Sequence, residues 1–167
     1  MNRKLVIVGH WEHSQNEILH TVLGSCISVC FYCPDKKILT MSHMLLPSEK
    51  GNNFGRKGGN VMLNEAYDWL IHQGVSKKTL EISMFGGGEM FLTKKISNFK
   101  IGKTNIDFTI QWLKEKNLLN NIKVKKVGGP YSRNIAFNPI TGECKYLEQN
   151  MNLKEEEPYG FKSTMKM

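Results

Sequence analysis

Cys26, Cys30 and Cys33 fall within eight residues, and His43 follows ten residues after the last of them. A thiol and an imidazole brought within hydrogen-bonding reach form a nucleophile–base pair. The base takes the thiol proton, and the thiolate attacks a carbonyl carbon far more readily than the thiol does. The same residue types also hold zinc, and cysteine is among the most frequently buried side chains, packing as a small hydrophobe. Convergence of Cys26, Cys30, Cys33 and His43 on one metal ion is opposed by strand geometry. Cys26 and Cys30 would share a face about 13 Å apart along an extended chain, with Cys33 pointing the other way. Spacing alone leaves the nucleophile and the core thiol both open.

A hairpin is the element that must position these groups. From Ile27 to Tyr32 apolar and mixed residues alternate, with Ile27, Val29 and Phe31 on one face and Ser28, Cys30 and Tyr32 on the other. Pro34-Asp35-Lys36-Lys37 is turn chemistry, and a second strand over 38–46 runs up to Pro47. If the turn closes Cys33 against Lys36, Cys26 lies opposite His43; if the loop is two residues longer, His43 faces Ser28. Either way Cys26 and His43 project from one face, because side chains alternate with period two. Gly24-Ser25 precedes Cys26 as a tight turn, where backbone N–H groups can point at an incoming carbonyl and hold an oxyanion.

The remaining pattern is α and β in mixed order. A first strand is expected over 5–8 and a loop over 9–17, with His10 and His13 as loop residues. Apolar character resumes over 18–22. A glycine-rich loop over 50–59 precedes a helix over 60–73, and a strand over 80–85 runs into Gly86-Gly87-Gly88. A second helix is expected over 105–116 with Ile106, Ile110 and Leu113 on its apolar stripe, then a strand over 122–127. A final hairpin, 134–137 with 144–147, closes around Asn138-Pro139-Ile140-Thr141-Gly142. This makes about seven strands and two helices. Residues 1–150 read as one domain. Residues 151–167, which lose periodicity and carry Glu155-Glu156-Glu157, read as a flexible tail. The triglycine lacks the spacing and the following Lys-Ser/Thr of a P-loop, so a tight turn or a close backbone approach near the substrate groove explains it better.

The 167 residues, 40% hydrophobic and 23% charged, suit one globular domain that needs neither disulfides nor metal. No cofactor is expected. The apolar run behind Arg3 and Lys4 is too short for a signal-peptide core and no segment is long enough to cross a membrane, so the expected location is the cytoplasm, where the four cysteines stay thiols. The formal charge of +8 is spread over scattered lysine pairs. No run of five basic residues and no nucleic-acid module accompanies it. It reads as a solvated surface, or as steering towards an acidic protein partner.

Six blocks in order carry a resemblance. Thr21-Val22-Leu23-Gly24-Ser25-Cys26, with Val29 beyond, resembles the "T-x-LGSC-x-x-V" signature of the CheD family of chemoreceptor glutamine deamidases. Ser42-His43-Met44-Leu45-Leu46-Pro47 resembles its "AHxxLP", and Phe85-Gly86-Gly87-Gly88-Glu89-Met90-Phe91 its "FGGAxMF". Ile101-Gly102-Lys103-Thr104-Asn105 is similar to "IGxxN". Val127 to Arg133 is similar to "VGGxxGR", and Asn138 to Gly142 to "xPxTG". Ser132 stands where the family has glycine, and Lys126 where an acidic residue is frequent.

The resemblance spans roughly residues 5–148. It implies an α/β (α+β) sandwich of mixed, largely antiparallel sheets with two flanking helices, like toxin-type glutamine deamidases. It implies Cys26 as nucleophile, His43 as base and Thr21 as third member of a triad, with His20 the alternative third member. Gly24 and Ser25 would supply oxyanion donors, with Gly86 and Gly87 beside the substrate. The implied reaction is conversion of chemoreceptor glutamines to glutamate with release of ammonia. Implied partners are the cytoplasmic helices of chemoreceptors and, in some members, the phosphatase CheC; no nucleic acid and no membrane insertion are expected. Two other readings remain: a non-catalytic regulator on the same fold, and a thiol enzyme of different chemistry, such as a methylesterase or transglutaminase.

Overall fold

The computed structural model describes residues 1–48, 55–89, 100–151 and 164–166, the last three as backbone only. One five-stranded sheet is ordered β1 (Arg3–Leu5), β3 (Ile18–Leu23), β8 (Tyr131–Phe137), β9 (Glu143–Asn150) and β10 (Thr164–Lys166). The other is ordered β2 (Trp11–Ser14), β5 (Ile38–Ser42), β4 (Ile27–Cys33), β6 (Glu81–Gly86) and β7 (Ile122–Val127). Neighbours pair antiparallel except β1 with β3 and β6 with β7. Two helices, α1 (Gly59–His72) and α2 (Ile101–Glu115), complete the mixed α+β architecture.

The layers follow from which side chains each strand can bury. Leu19, Leu23, Ile135, Phe137, Cys144 and Tyr146 of the first sheet meet Cys30, Tyr32, Leu39, Met41, Phe85 and Val124 of the second. On its other face the second sheet turns Ile27, Val29, Phe31 and Met84 towards Met62, Leu63, Leu70, Trp112 and Leu113 of the helices. All seven residues of β4 are therefore buried. That is why its sequence is apolar or small on both faces; each large side chain so removed from water contributes about 1.5–3 kcal/mol. Cys33 sits in the helix-facing core and Cys30 in the core between the sheets.

Several expectations need correction. The segment read as a loop over 9–17 contains β2, which pairs Trp11 with Ser42 and Ser14 with Leu39. It is an edge strand with polar side chains, so the hydrophobic period was absent. Its Trp11 and His13 rings instead lean on Trp69 of α1. The first strand is Arg3–Leu5 rather than 5–8. Among the described residues there are ten strands, more than the seven read from periodicity.

α2 starts four residues before the expected helix, and its buried stripe runs Gly102, Asn105, Thr109, Trp112 and Leu113, with Ile106 and Ile110 only flanking it. Asparagine and threonine on an inward stripe leave no hydrophobic signal. The expected loop at 50–59 falls partly on residues 49–54, and Met90 and Phe91 of the motif that follows the strand at 80–85 fall on 90–99; both stretches lie outside the described residues. Of the expected tail, 152–163 and 167 also lie outside them, while Thr164–Lys166 pair with Glu143–Lys145 of β9.

Candidate active site

The β4–β5 hairpin closes in the longer of the two registers. Cys33 pairs with Ile38 and Cys30 with Met41, leaving a four-residue loop over Pro34–Lys37. A two-residue hairpin turn requires positive φ at its first central position, which proline cannot adopt. Lys37, with φ 53°, takes the left-handed position instead. His43 is therefore opposite Ser28 and diagonal to Cys26. By general sheet geometry a diagonal pair stands about 7–8 Å apart, within the reach of an imidazole.

Beyond Cys30–Met41 the ladder opens. Ser42 Oγ accepts the Val29 N–H at 3.1 Å and donates to the Val29 carbonyl at 3.3 Å, so a hydroxyl takes the place of a backbone pair. Pairing resumes at Ile27–Met44. The backbone of His43 turns to the opposite side, its N–H donating to His10 O (3.0 Å) and its carbonyl accepting from Gly9 N–H (2.8 Å).

The imidazole crosses to the other sheet. Its Nδ1 lies 2.7 Å from Thr21 Oγ1, and that hydroxyl lies 2.7 Å from the Val6 carbonyl. A carbonyl only accepts, so the single hydroxyl proton goes to Val6 and Thr21 accepts from Nδ1–H. This assigns the tautomer: Nδ1 carries the proton and Nε2 is left with a free lone pair. Alternation along β3 buries Leu19, Thr21 and Leu23 and turns His20 to the outer face, which leaves His20 away from His43.

Cys26 lies just before β4, half-buried against the core between the sheets, and Cys30, Cys33 and Cys144 are fully buried. Its loop is held by three hydrogen bonds, two from the triglycine and one from α2. Gly87 N–H donates to Cys26 O and Gly88 N–H to Gly24 O, each at 2.8 Å. Asn105 Nδ2 donates to Ser25 O at 3.1 Å. The N–H groups of Gly24, Ser25 and Cys26 have no acceptor among the described residues.

The triglycine is a close approach of backbone to backbone. A Cβ on Gly86, whose φ is +110°, would run into the Cys26 carbonyl, and one on Gly102 of α2 would meet Gly87 O. From the other side the buried Arg133 donates Nη1–H to Gly86 O (3.1 Å) and Nη2–H to Gly128 O (2.8 Å), its charge facing Glu148 at 3.8 Å.

Burial dominates the electrostatics. It pushes the Cys26 thiol up to about 11, against a smaller downward pull from the Arg56 guanidinium. It also pushes His43 below the ordinary histidine value, with the Val6 carbonyl partly opposing. Both shifts favour a neutral thiol and a neutral imidazole at neutral pH, the states from which general-base activation of a thiol would start.

Residues 45–147 match the family model described as CheD chemotactic sensory transduction. The chain belongs to the CheD family. A protein of Dechloromonas aromatica named probable chemoreceptor glutamine deamidase CheD 2 is 30% identical over 153 residues, covering 88% of this chain and 76% of the relative. A Shewanella oneidensis protein of the same name is 28% identical over 178 residues, covering 93% and 85%. A probable chemoreceptor glutamine deamidase CheD of Rhodopseudomonas palustris is 32% identical over 138 residues, covering 80% and 62%. Thr21, Cys26 and His43 precede the segment matched by the CheD model. The Shewanella alignment leaves too little of the chain uncovered to exclude them.

In this CheD-family chain Thr21 and His43 are brought into direct contact, Cys26 stands diagonal to His43, and Gly24, Ser25, Gly86 and Gly87 surround Cys26. Sequence reasoning assigned no role to Ser42, Arg56, Asn105 or Arg133. Asn105 and Arg133 lie in CheD-like blocks, but only the fold shows that Asn105 is buried against the Cys26 loop and Arg133 against the Gly86 and Gly128 carbonyls.

Proposed function

We propose that this protein hydrolyses glutamine side-chain amides on the cytoplasmic helices of chemoreceptors, acting in the cytoplasm with Cys26 as nucleophile. The observation that supports the reading is the Thr21–His43 hydrogen bond, which keeps the proton on Nδ1 and leaves Nε2 a lone pair with which to serve as base to Cys26, diagonal to it in the hairpin register. The names of the relatives supply the substrate class. No helix among the described residues is long and apolar enough to cross a membrane. A CheC-like phosphatase is the further partner that the family resemblance suggests.

His43 Nε2 takes the Cys26 thiol proton as Sγ attacks the amide carbon. Free N–H groups of the Gly24–Cys26 turn receive the oxyanion. Collapse breaks the C–N bond, the proton on Nε2 passes to the leaving nitrogen, and ammonia departs from a thioester. Water then gives a proton to Nε2 and attacks the thioester carbon. Breakage of the C–S bond yields glutamic acid, and the thiolate recovers the proton from His43. The Thr21 hydroxyl stabilises the imidazolium that forms twice in the cycle, because Nδ1–H keeps its acceptor throughout.

Incubation with a chemoreceptor cytoplasmic fragment and a labelled primary amine tests the reaction class. Deamidation predicts ammonia release with no label incorporated. Label in the receptor would assign a transglutaminase, and methanol from a methylated receptor without ammonia would assign a methylesterase.

A further inference from the structure

We propose that Asn105 is a positioning residue that sets the Cys26 turn against the His43 strand; the inference rests on the deamidase reading above. The last backbone link between these segments is Ile27–Met44, and beyond it no backbone hydrogen bond joins them among the described residues. Asn105 supplies the next link. One Nδ2 hydrogen goes to Ser25 O at 3.1 Å and the other to Leu45 O at 3.0 Å. Ser25 immediately precedes the thiol residue, and Leu45 is two residues after the imidazole.

Both partners are acceptors, which fixes the amide orientation with Nδ2 between them. The side chain is fully buried and its Oδ1 has no hydrogen-bond partner among the described residues. A buried acceptor left without a donor costs stability. The position therefore sacrifices some packing free energy to keep two donors at a fixed angle between two loops. The helix that carries it is itself fixed at this point. Gly102 packs on Gly87 O, Lys103 N–H meets Glu89 Oε1 at 3.2 Å, and Thr109 Oγ1 donates to Asn105 O at 2.8 Å. Asn105 touches no reacting atom. Its effect is the separation and angle between Sγ and Nε2, on which proton transfer depends.

The test compares Asn105→Asp, which replaces the two donors isosterically, and Asn105→Ser with Trp112→Phe. The last weakens α2 through the Trp112 Nε1–Asn64 bond, away from the site. Two readouts are taken: ammonia release from a receptor fragment, and the pH profile of iodoacetamide alkylation at Cys26, the one half-exposed thiol. For the Asn105 variants kcat falls by about tenfold to a hundredfold while KM stays within about twofold, and the alkylation profile shifts. Trp112→Phe lowers the melting temperature and leaves both readouts in place.

Wild-type kcat and alkylation in a folded Asn105 variant would overturn the proposal. So would an equal loss in Trp112→Phe at matched stability. If Asn105→Asp does not fold, Asn105→Ser decides. If the wild-type protein releases no ammonia from any receptor fragment while Asn105 variants still shift the alkylation profile, the deamidase reading falls and the positioning role stands.

Discussion

The Thr21 hydroxyl stands 2.7 Å from His43 Nδ1 while donating, also at 2.7 Å, to the Val6 carbonyl. These two bonds tie the His43 ring, carried just beyond β5 of one sheet, to Thr21 on β3 of the other. Thr21→Val keeps the shape and removes the hydroxyl, so Nδ1–H loses its acceptor and the Val6 carbonyl its donor. We expect kcat to fall by about tenfold to a hundredfold, with about 1–3 kcal/mol lost from stability. Thr21→Ser should retain most of both. Steady-state kinetics and urea unfolding of the two variants check this.

The shifted protonation of the pair gives a pH signature. His43 is held below its ordinary value near 6.5, chiefly by burial, so it stays neutral in the folded protein where the unfolded chain already binds a proton. Its contribution to stability is present above about pH 6.5 and is lost as pH falls through the lowered folded value. The acid limb of kcat/KM should have its midpoint below about 6.5 for the same reason. On the alkaline side, the Cys26 thiol near 11 predicts an alkylation rate that keeps climbing past pH 9. Stability curves and alkylation rates across pH measure both.

Backbone contact around Cys26 makes two glycines differ. Gly86→Ala places a Cβ on the Cys26 carbonyl at a positive φ, whereas Gly24 has nothing within 4 Å of its position for a Cβ. The first substitution should cost at least about 2 kcal/mol and displace Cys26. The second should stay within about 0.5 kcal/mol in denaturant unfolding.

How much of this was legible in the sequence depended on whether a residue's role shows in its periodicity. The faces of β4 were readable because Ile27, Val29 and Phe31 alternate with Ser28, Cys30 and Tyr32. The shared face of Cys26 and His43 followed from either register, since both preserve parity. The choice between registers turned on Pro34, whose fixed φ excludes the shorter turn. β2 was invisible because its ordering comes from rings packed on α1 and from pairing with β5, not from an apolar stripe. Asn105 and Arg133 were invisible as structural pins because burial of a polar side chain is decided by distant carbonyls, at Ser25, Leu45, Gly86 and Gly128.

Arg56 offers a further test. Its side chain packs over Gly9, whose N–H holds the His43 carbonyl, and its charge lowers the Cys26 thiol against the larger effect of burial. Arg56→Ala should raise the thiol further and slow alkylation at pH 8 by about twofold to fivefold, with the difference shrinking in high salt. Arg56→Lys should lie close to the wild-type protein. Alkylation rates at two ionic strengths separate the three.

Conversion of receptor glutamines to glutamate through Cys26, as proposed above, has a direct mass signature. Intact-mass analysis of a chemoreceptor cytoplasmic fragment, incubated with this protein or with Cys26→Ala, tests it most directly. A gain of about 1 Da per modified site is expected with the wild-type protein and none with the variant. An unchanged mass despite measurable binding, or an equal gain with Cys26→Ala, would contradict it.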